Sequence, residues 1–410
     1  MSTVNPPRLS VNPLDEFVAA APSLAAGRDE RVSTRIIRSA SEIEEIREIW
    51  TSWQRHPNAD IDFYLLLARL RPEIIRPHVI VIYRDGRPDA LLIGRLMHGR
   101  IDLKVGYRNL LRPPVRLLSF VYGGLLGNAS TDNSQAMIAQ VLDNLRQNEA
   151  DAAVFNFVKT DSSIYPLILR SPRFGCRDYF PTVQVHWNMR LPKTVEEVYR
   201  GLSPDHRGEI RRKEKKLLAD YSGNVRVACL RDRAHLERIF RDVEEIAKKT
   251  YQRGLGAGFA DTPETRGILD CEIQKDWHRT YILYVADEPW AFWMGNVRHG
   301  TFYSGHIGYD PKHKRRSPGT FLFARMIEDF CRNGVQEVDF GLGDAEYKHR
   351  FGNYSWQEGS AYIFAPNPRG LRISALRTPA VLLDRGLRKA LERTTLIPKI
   401  KKLWRERVRE

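Results

Sequence analysis

The strongest constraint on this chain is that it contains one pattern twice. At a fixed offset of 201 residues, Tyr83 falls on Tyr284, Pro88 on Pro289, Ala90 on Ala291, Gly94 on Gly295, His98 on His299 and Gly99 on Gly300. These are six identities in 17 positions, with apolar matches between them. Repetition of this kind predicts a fold built from two copies of one unit. The order of elements agrees. In the first copy, Ile43, Ile46, Ile49 and Trp50 share a helical face behind a Ser41 cap. Strands follow at 78–83 and 88–94 around a turn at 84–87, then a helix at 134–146 and a buried strand at 152–158. The second copy replays this with a helix at 234–250, strands at 281–285, 290–297 and 301–309, a helix at 320–332 and a strand at 337–340. The equivalence of His98 and His299, each before a glycine, predicts hairpin turns rather than catalysis.

A chain of 410 residues with 42% hydrophobic content has room for two such cores. The 65 Lys and Arg outweigh the 50 Asp and Glu by 15, but unevenly. Residues 371–410 hold 12 basic and 4 acidic side chains, more than half of the excess. The body is therefore not a uniformly basic nucleic-acid binder. The four cysteines, Cys176, Cys229, Cys271 and Cys331, form no CxxC pair, so the sequence predicts neither a metal site nor a redox motif. No apolar run reaches the ~18–20 residues of a membrane span. Asp15 and Glu16 precede the mildly apolar stretch 17–26 and Pro22 interrupts it, which argues against a signal peptide. A cytoplasmic chain, membrane-peripheral at most, is the expectation.

The segments divide as a flexible tail (1–32), an N-terminal unit (33–190), a connecting basic helix (191–230), a C-terminal unit (231–368) and a basic helical extension (369–410). Ser203, Pro204 and Asp205 make a strong helix start: a cap hydroxyl, a first-turn proline and an acid at the positive dipole end. Arg207, Arg211, Arg212, Lys213, Lys215 and Lys216 stud the helix that follows.

Two stretches carry chemistry. Arg316, Ser317, Pro318, Gly319 and Thr320 open an amphipathic helix after a strand. Free backbone N–H groups, the positive dipole end and a guanidinium converge there, as a pyrophosphate needs, although an ordinary turn and cap has the same sequence. The run Asp339-Phe-Gly-Leu-Gly-Asp344 then leads into Glu346-Tyr-Lys-His-Arg-Phe-Gly352. Strand, R-x-x-G helix start, helix, strand and Y-K-x-x-F-G together resemble the GNAT acyltransferase fold. With S-P-G and D-F-G-x-G-D added, the sequence resembles the CelD-like acetyltransferases. Those are tandem-GNAT relatives of the FemAB peptidyl-bridge enzymes, often linked to exopolysaccharide synthesis. The resemblance covers about residues 35–365. It departs from R-x-x-G-x-G/A at Phe321, where a small residue is expected.

The resemblance implies an α+β protein of two tandem GNAT-like units, each a mixed sheet flanked by helices. It implies acetyl-CoA or another acyl-CoA as co-substrate, held at its pyrophosphate by Arg316, Ser317, Gly319 and Thr320. It implies Tyr347 as the acid for the departing thiolate, and direct transfer to the amine or hydroxyl of a small-molecule or saccharide acceptor. From the residues themselves, His306 and mid-strand Asp339 are candidate bases, and Lys348 is an oxyanion donor if buried. Asp344 reads as the cap of the helix carrying Tyr347. The first copy has no counterpart to these motifs and is expected to shape the acceptor cleft, with Asn156, Lys159 and Asp161 as candidate lining. The alternatives are an aminoacyl-tRNA-dependent FemAB-type transferase and a non-catalytic partner of a polysaccharide synthase. In the extension, Leu382, Leu383, Leu387, Ala390 and Leu391 oppose Arg385, Arg388, Lys389 and Arg393. That pattern fits an anionic membrane surface or a helix packed back on the body.

Overall fold

The computed structural model describes residues 32–106, 108–250, 253 and 258–392. The tail before Val32 and the segment beyond Glu392, with its Trp404, lie outside the described residues. The first unit runs β1 (Val32–Ile37), α1 (Ala40–Glu45), α2 (Arg47–Trp53), α3 (Ile61–Leu70), β2 (Ile74–Arg84), β3 (Arg87–Arg100), a hairpin of β4 (Leu103–Val105) and β5 (Arg108–Leu111), β6 (Pro114–Gly127), α4 (Thr131–Arg146), β7 (Ala152–Lys159), α5 (Ile164–Arg170) and β8 (Thr182–Arg190). Helices α6 (Val195–Gly201) and α7 (Pro204–Asp220) lead on. The second unit runs β9 (Val225–Leu230), α8 (Leu236–Ala247), α9 (Pro263–Gln274), β10 (His278–Val285), β11 (Glu288–Arg298), β12 (Thr301–Tyr309), α10 (Pro318–Arg332), β13 (Glu337–Leu342), α11 (Glu346–Phe351) and β14 (Tyr354–Phe364). Helix α12 (Pro368–Glu392) follows β14.

Local chemistry explains most of these elements. Helix α7 begins where Ser203 accepts from the His206 N–H, with Pro204 in the first turn. The sequence placed the α1 cap at Ser41. It is Ser39 instead, because Glu42 lies three residues on and completes a capping box. Asp344 does not cap α11 either. Ala345 holds that position without a side-chain bond, and Asp344 pairs with His349. His299 sits at φ 48° in the β11–β12 turn, as expected. His98 does not, because β3 runs on to Arg100 before the inserted β4–β5 hairpin.

Twelve strands form one continuous sheet in the order β1-β2-β3-β6-β7-β14-β8-β13-β12-β11-β10-β9. Each unit supplies six strands, and the order reads alike from either edge. The sixth strands are exchanged. Strand β14 lies between β7 and β8, with Glu358 opposite Lys159 on one side and Trp356 opposite His186 on the other. Strand β8 in turn pairs β13, with Asn188 opposite Asp339. The segment read as a connector ends in β9, which forms the far edge of the sheet.

Both faces are covered, so the central strands read as apolar runs rather than alternating ones. Helix α4 packs on one face of the first half and α10 on one face of the second. The other face carries α1–α3 and α8–α9. These last two layers meet at a buried ionic joint, where Asp60 takes Lys275 Nζ at 3.2 Å and Arg298 Nη2 at 3.4 Å.

Candidate active site

In each half, one parallel pairing is short. Strand β6 pairs β7 only from Leu117–Phe120 against Ala152–Phe155. Strand β12 pairs β13 only from Thr301–Tyr303 against Glu337–Asp339. Beyond those registers the strands part and leave two gaps in the sheet. Both gaps are edged by bulges. In β12, Gly305 and His306 stand opposite Met294 alone, and in β6 four residues, Val121 to Gly124, stand opposite Ile93. At Gly123 the backbone turns to φ 72°, and a Cβ there would fall 2.6 Å from the Cβ of His56. Glycine thus lets His56 lie against the β6 backbone.

The first gap opens into a cavity of about 440 Å³. Asn156, Phe157, Lys159 and Ser162 line its first-unit side; Tyr303, Asp339, Trp356 and Glu358 come from the second unit. Asp161 is not among the lining residues. Behind Asp339 and Glu358 of this lining stands a buried histidine, between the two carboxyl groups. His186 Nε2 donates to Asp339 Oδ1 at 2.7 Å, and Nδ1 faces Glu358 Oε2 at 3.2 Å. Tyr122 Oη and Trp356 Nε1 donate to Glu358 Oε1 at 3.2 and 2.8 Å. Trp356 stacks on the His186 ring at 4.3 Å, and the Gly341 N–H donates to Asp339 Oδ1 at 2.7 Å.

Burial pulls the His186 pKa down, but its hydrogen bonds to Asp339 and Glu358 outweigh this and push it up to about 9. The ring is thus an imidazolium at neutral pH, seated between two carboxyl groups. His56 behaves oppositely: burial holds it down at about 4, so it is neutral. Its Nδ1 accepts the Asn58 N–H at 3.1 Å, which leaves the proton on Nε2. His56 therefore offers a donor beside Tyr122 and Tyr303, whose rings lie 4.5 and 5.0 Å away.

A pH prediction follows. A folded-state pKa above the ordinary ~6.5 means that the fold binds this proton more tightly than the unfolded chain does. The stabilisation is complete below pH ~6.5 and is lost as pH rises through about 9. It amounts to about 3 kcal/mol at full titration. Denaturant titrations at a series of pH values should show stability falling over that window, and His186→Gln should flatten the fall.

The residues singled out from sequence divide between the two faces. Asp339 is in the cavity. Val338 and Phe340 beside it point into the α10 core, so strand alternation aims Asp339 the other way. Tyr347 lies on the α10 face, edge-on to Trp293 at 5.5 Å and Phe340 at 5.8 Å. Lys348 is buried, and burial lowers its pKa to about 8. Its Nζ donates to the carbonyls of Gly341 and Leu342 at 3.1 and 2.6 Å, tying α11 to the end of β13. His306 is exposed on the free edge of β12, 5.9 Å from the Phe259 ring, and does not line the cavity.

At the start of α10, Ser317 adopts φ 51°, ψ 53° and aligns the first turn, and a Cβ on Gly319 would meet nothing within 4 Å. The Thr320 N–H is directed to the Ser317 carbonyl at 3.0 Å. Arg316 is ion-paired with Asp220 of α7. Phe321, which breaks the expected small-residue pattern, is buried in the core beneath. His56, Tyr122, His186, Trp356 and Glu358 were not found from sequence. A histidine and a glutamate each mid-strand, where burial is costly, were the available signals.

Residues 204–349 match the model of the acetyltransferase (GNAT) domain. None of the curated proteins matches the chain. Among solved structures FemX is similar, with 12% identity, a TM-score of 0.54, and coverage of 81% of this chain and 98% of FemX. L-PGS from Bacillus licheniformis has 14% identity and a TM-score of 0.47 over 85% of this chain and 98% of its own. A tandem GNAT protein from the clavulanic acid pathway has 12% identity and a TM-score of 0.43 over 82% and 99%. At such identities FemX speaks for the fold alone. Residues 204–349 are thus similar to the acetyltransferase (GNAT) domain, and the chain as a whole shares the fold of FemX.

Proposed function

We propose that the protein transfers an acyl group from acyl-CoA to an amine on a small-molecule or saccharide acceptor, with Asp339 as the base. One observation carries this reading. Asp339 occupies the last paired register between β12 and β13, and it also lines the cavity that enters through the other gap. A donor laid through the second gap from α10 and an acceptor seated in the cavity would meet at this carboxylate. The carboxyl oxygens of Asp339 and Glu358 in the cavity lining suit the N–H donors of an ammonium better than a neutral hydroxyl. Trp356 and Tyr354 line the cavity beside them, with Lys159 over the Trp356 ring and Arg190 over that of Tyr354.

In this mechanism Asp339 takes a proton from the acceptor ammonium. The freed nitrogen attacks the thioester carbonyl, and the C–S bond breaks as the new C–N bond forms. Tyr347 returns a proton to the departing sulfur, and the remaining N–H proton passes to solvent. The His56 Nε2–H, fixed by its neutral tautomer, is a candidate donor to the developing oxyanion.

The donor assignment is tested at Gly319. Asp in the first turn of α10 suits the helix dipole but repels a pyrophosphate. Gly319→Asp should therefore leave the melting temperature unchanged or raised, while weakening coenzyme A binding at least ~10-fold by calorimetry. Equal binding by variant and wild type would place the nucleotide elsewhere. No acyl-CoA binding to the wild type would favour an aminoacyl-tRNA donor, the alternative that the FemAB resemblance raised.

A further inference from the structure

Helix α12 has a second apolar face that nothing among the described residues covers. Its inner face is fixed. Ile373 and Ala380 are buried with Leu103, Val115 and Phe364; Arg377 pairs with buried Asp178; and Asp384 Oδ1 accepts the Gly106 N–H at 2.7 Å. At about 100° per residue the opposite arc comprises Leu371, Ala375, Leu376, Pro379, Leu382 and Leu383, none of them buried. Leu383 is 62% exposed. The arc continues past the helix start: Leu371 Cδ2 lies 3.2 Å from the Cβ position of Gly175, beside Phe174, which is 79% exposed and 5.4 Å from the Tyr179 ring.

We infer that this face seats on an anionic phospholipid surface. Charge decides among the possible occupants. Among the described side chains of the helix the exposed charges are Arg369, Arg372 and Arg385, with no exposed carboxylate. A second copy would bring the same positive face against itself. The chain beyond Glu392, with seven basic and two acidic residues, would likewise lie against its own sign. Arg372 lies among these leucines on the same arc, while Arg369 and Arg385 edge it from the body, beside Asp151 and over the Phe180 ring; Phe174 and Tyr179 suit the headgroup boundary. Exposed leucines along one arc, aromatics at its end and arginines beside it are what interfacial seating requires; a solvated helix needs none of the leucines.

The test is co-sedimentation of the full chain with vesicles of roughly one-third phosphatidylglycerol in phosphatidylcholine, against phosphatidylcholine alone, at low and high salt. Anionic vesicles should bind at least ~10-fold more tightly, and added salt should weaken the difference. The double variant Leu382→Asp/Leu383→Asp should lose that binding with its melting temperature unchanged, and Phe174→Ser, on a separate turn, should weaken it independently. Undiminished binding by both variants, or wild type left in the supernatant, overturns the inference. So does a concentration-dependent dimer that the double variant abolishes, since the face would then belong to a second copy. Acyl transfer to a soluble acceptor does not enter this measurement, so the two readings stand or fall separately.

Discussion

Replacing Asp339 with Asn is expected to lower the rate of acyl transfer about 10³-fold, within the range for losing a positioned base. The substitution keeps the shape of the side chain. The carbonyl oxygen of the introduced amide can still accept the Gly341 N–H that now reaches Asp339 Oδ1. What it removes is the proposed base and one of the two carboxyl groups whose hydrogen bonds raise the His186 pKa. Two readouts should therefore move together. Turnover should fall while the dissociation constant for acyl-CoA, which the proposed site places at α10, stays within about threefold. The pH at which stability declines shifts down from about 9 toward the ordinary histidine range. Turnover within about tenfold of wild type would remove Asp339 from the mechanism and leave it a partner of His186 only.

The second large effect concerns the halves. Residues 1–203 and 204–410, each produced alone, are expected not to fold; produced together, they should copurify as a folded pair. The reason lies at the centre of the sheet. Without the second half, β8 has no neighbour, because both strands that flank it, β14 and β13, come from there. Strand β7 loses its partner along Glu358 to Phe364, and Ala361 and Ile363 leave the first-unit core. The second half alone leaves β14 with both edges unpaired and β13 bonded only to the three-residue stub of β12. A cooperative melting transition in either isolated half, followed by circular dichroism, would contradict this.

The parts legible in the sequence were those that local chemistry decides. The hairpin of β2 and β3, the cap at Ser203 and the helix behind Pro318 each announce themselves within a few residues. Asp339 was legible because a carboxylate in the middle of an apolar strand needs a reason. Its partners were not. His186 lies 153 residues from Asp339 and 172 from Glu358, and no local pattern says that β8 and β14 will lie side by side. The repeat predicted two similar units; it carried no information that the units would trade their last strands. Lys348 shows the limit from the other side. Its burial was foreseen as a condition for chemistry, whereas its ammonium is engaged by the two carbonyls at the end of β13.

The exchanged strands also set a timetable for synthesis. Among the described strands β14 is the last to leave the ribosome, yet it supplies Trp356 and Glu358 and separates β7 from β8. Until it arrives, His186 has one carboxylate missing and the first unit exposes an open sheet edge, a state prone to wrong pairing. Contacts of such long sequence separation close slowly. The nascent chain therefore passes through most of its synthesis without the cluster around His186, which assembles as a single late event when β14 slides home.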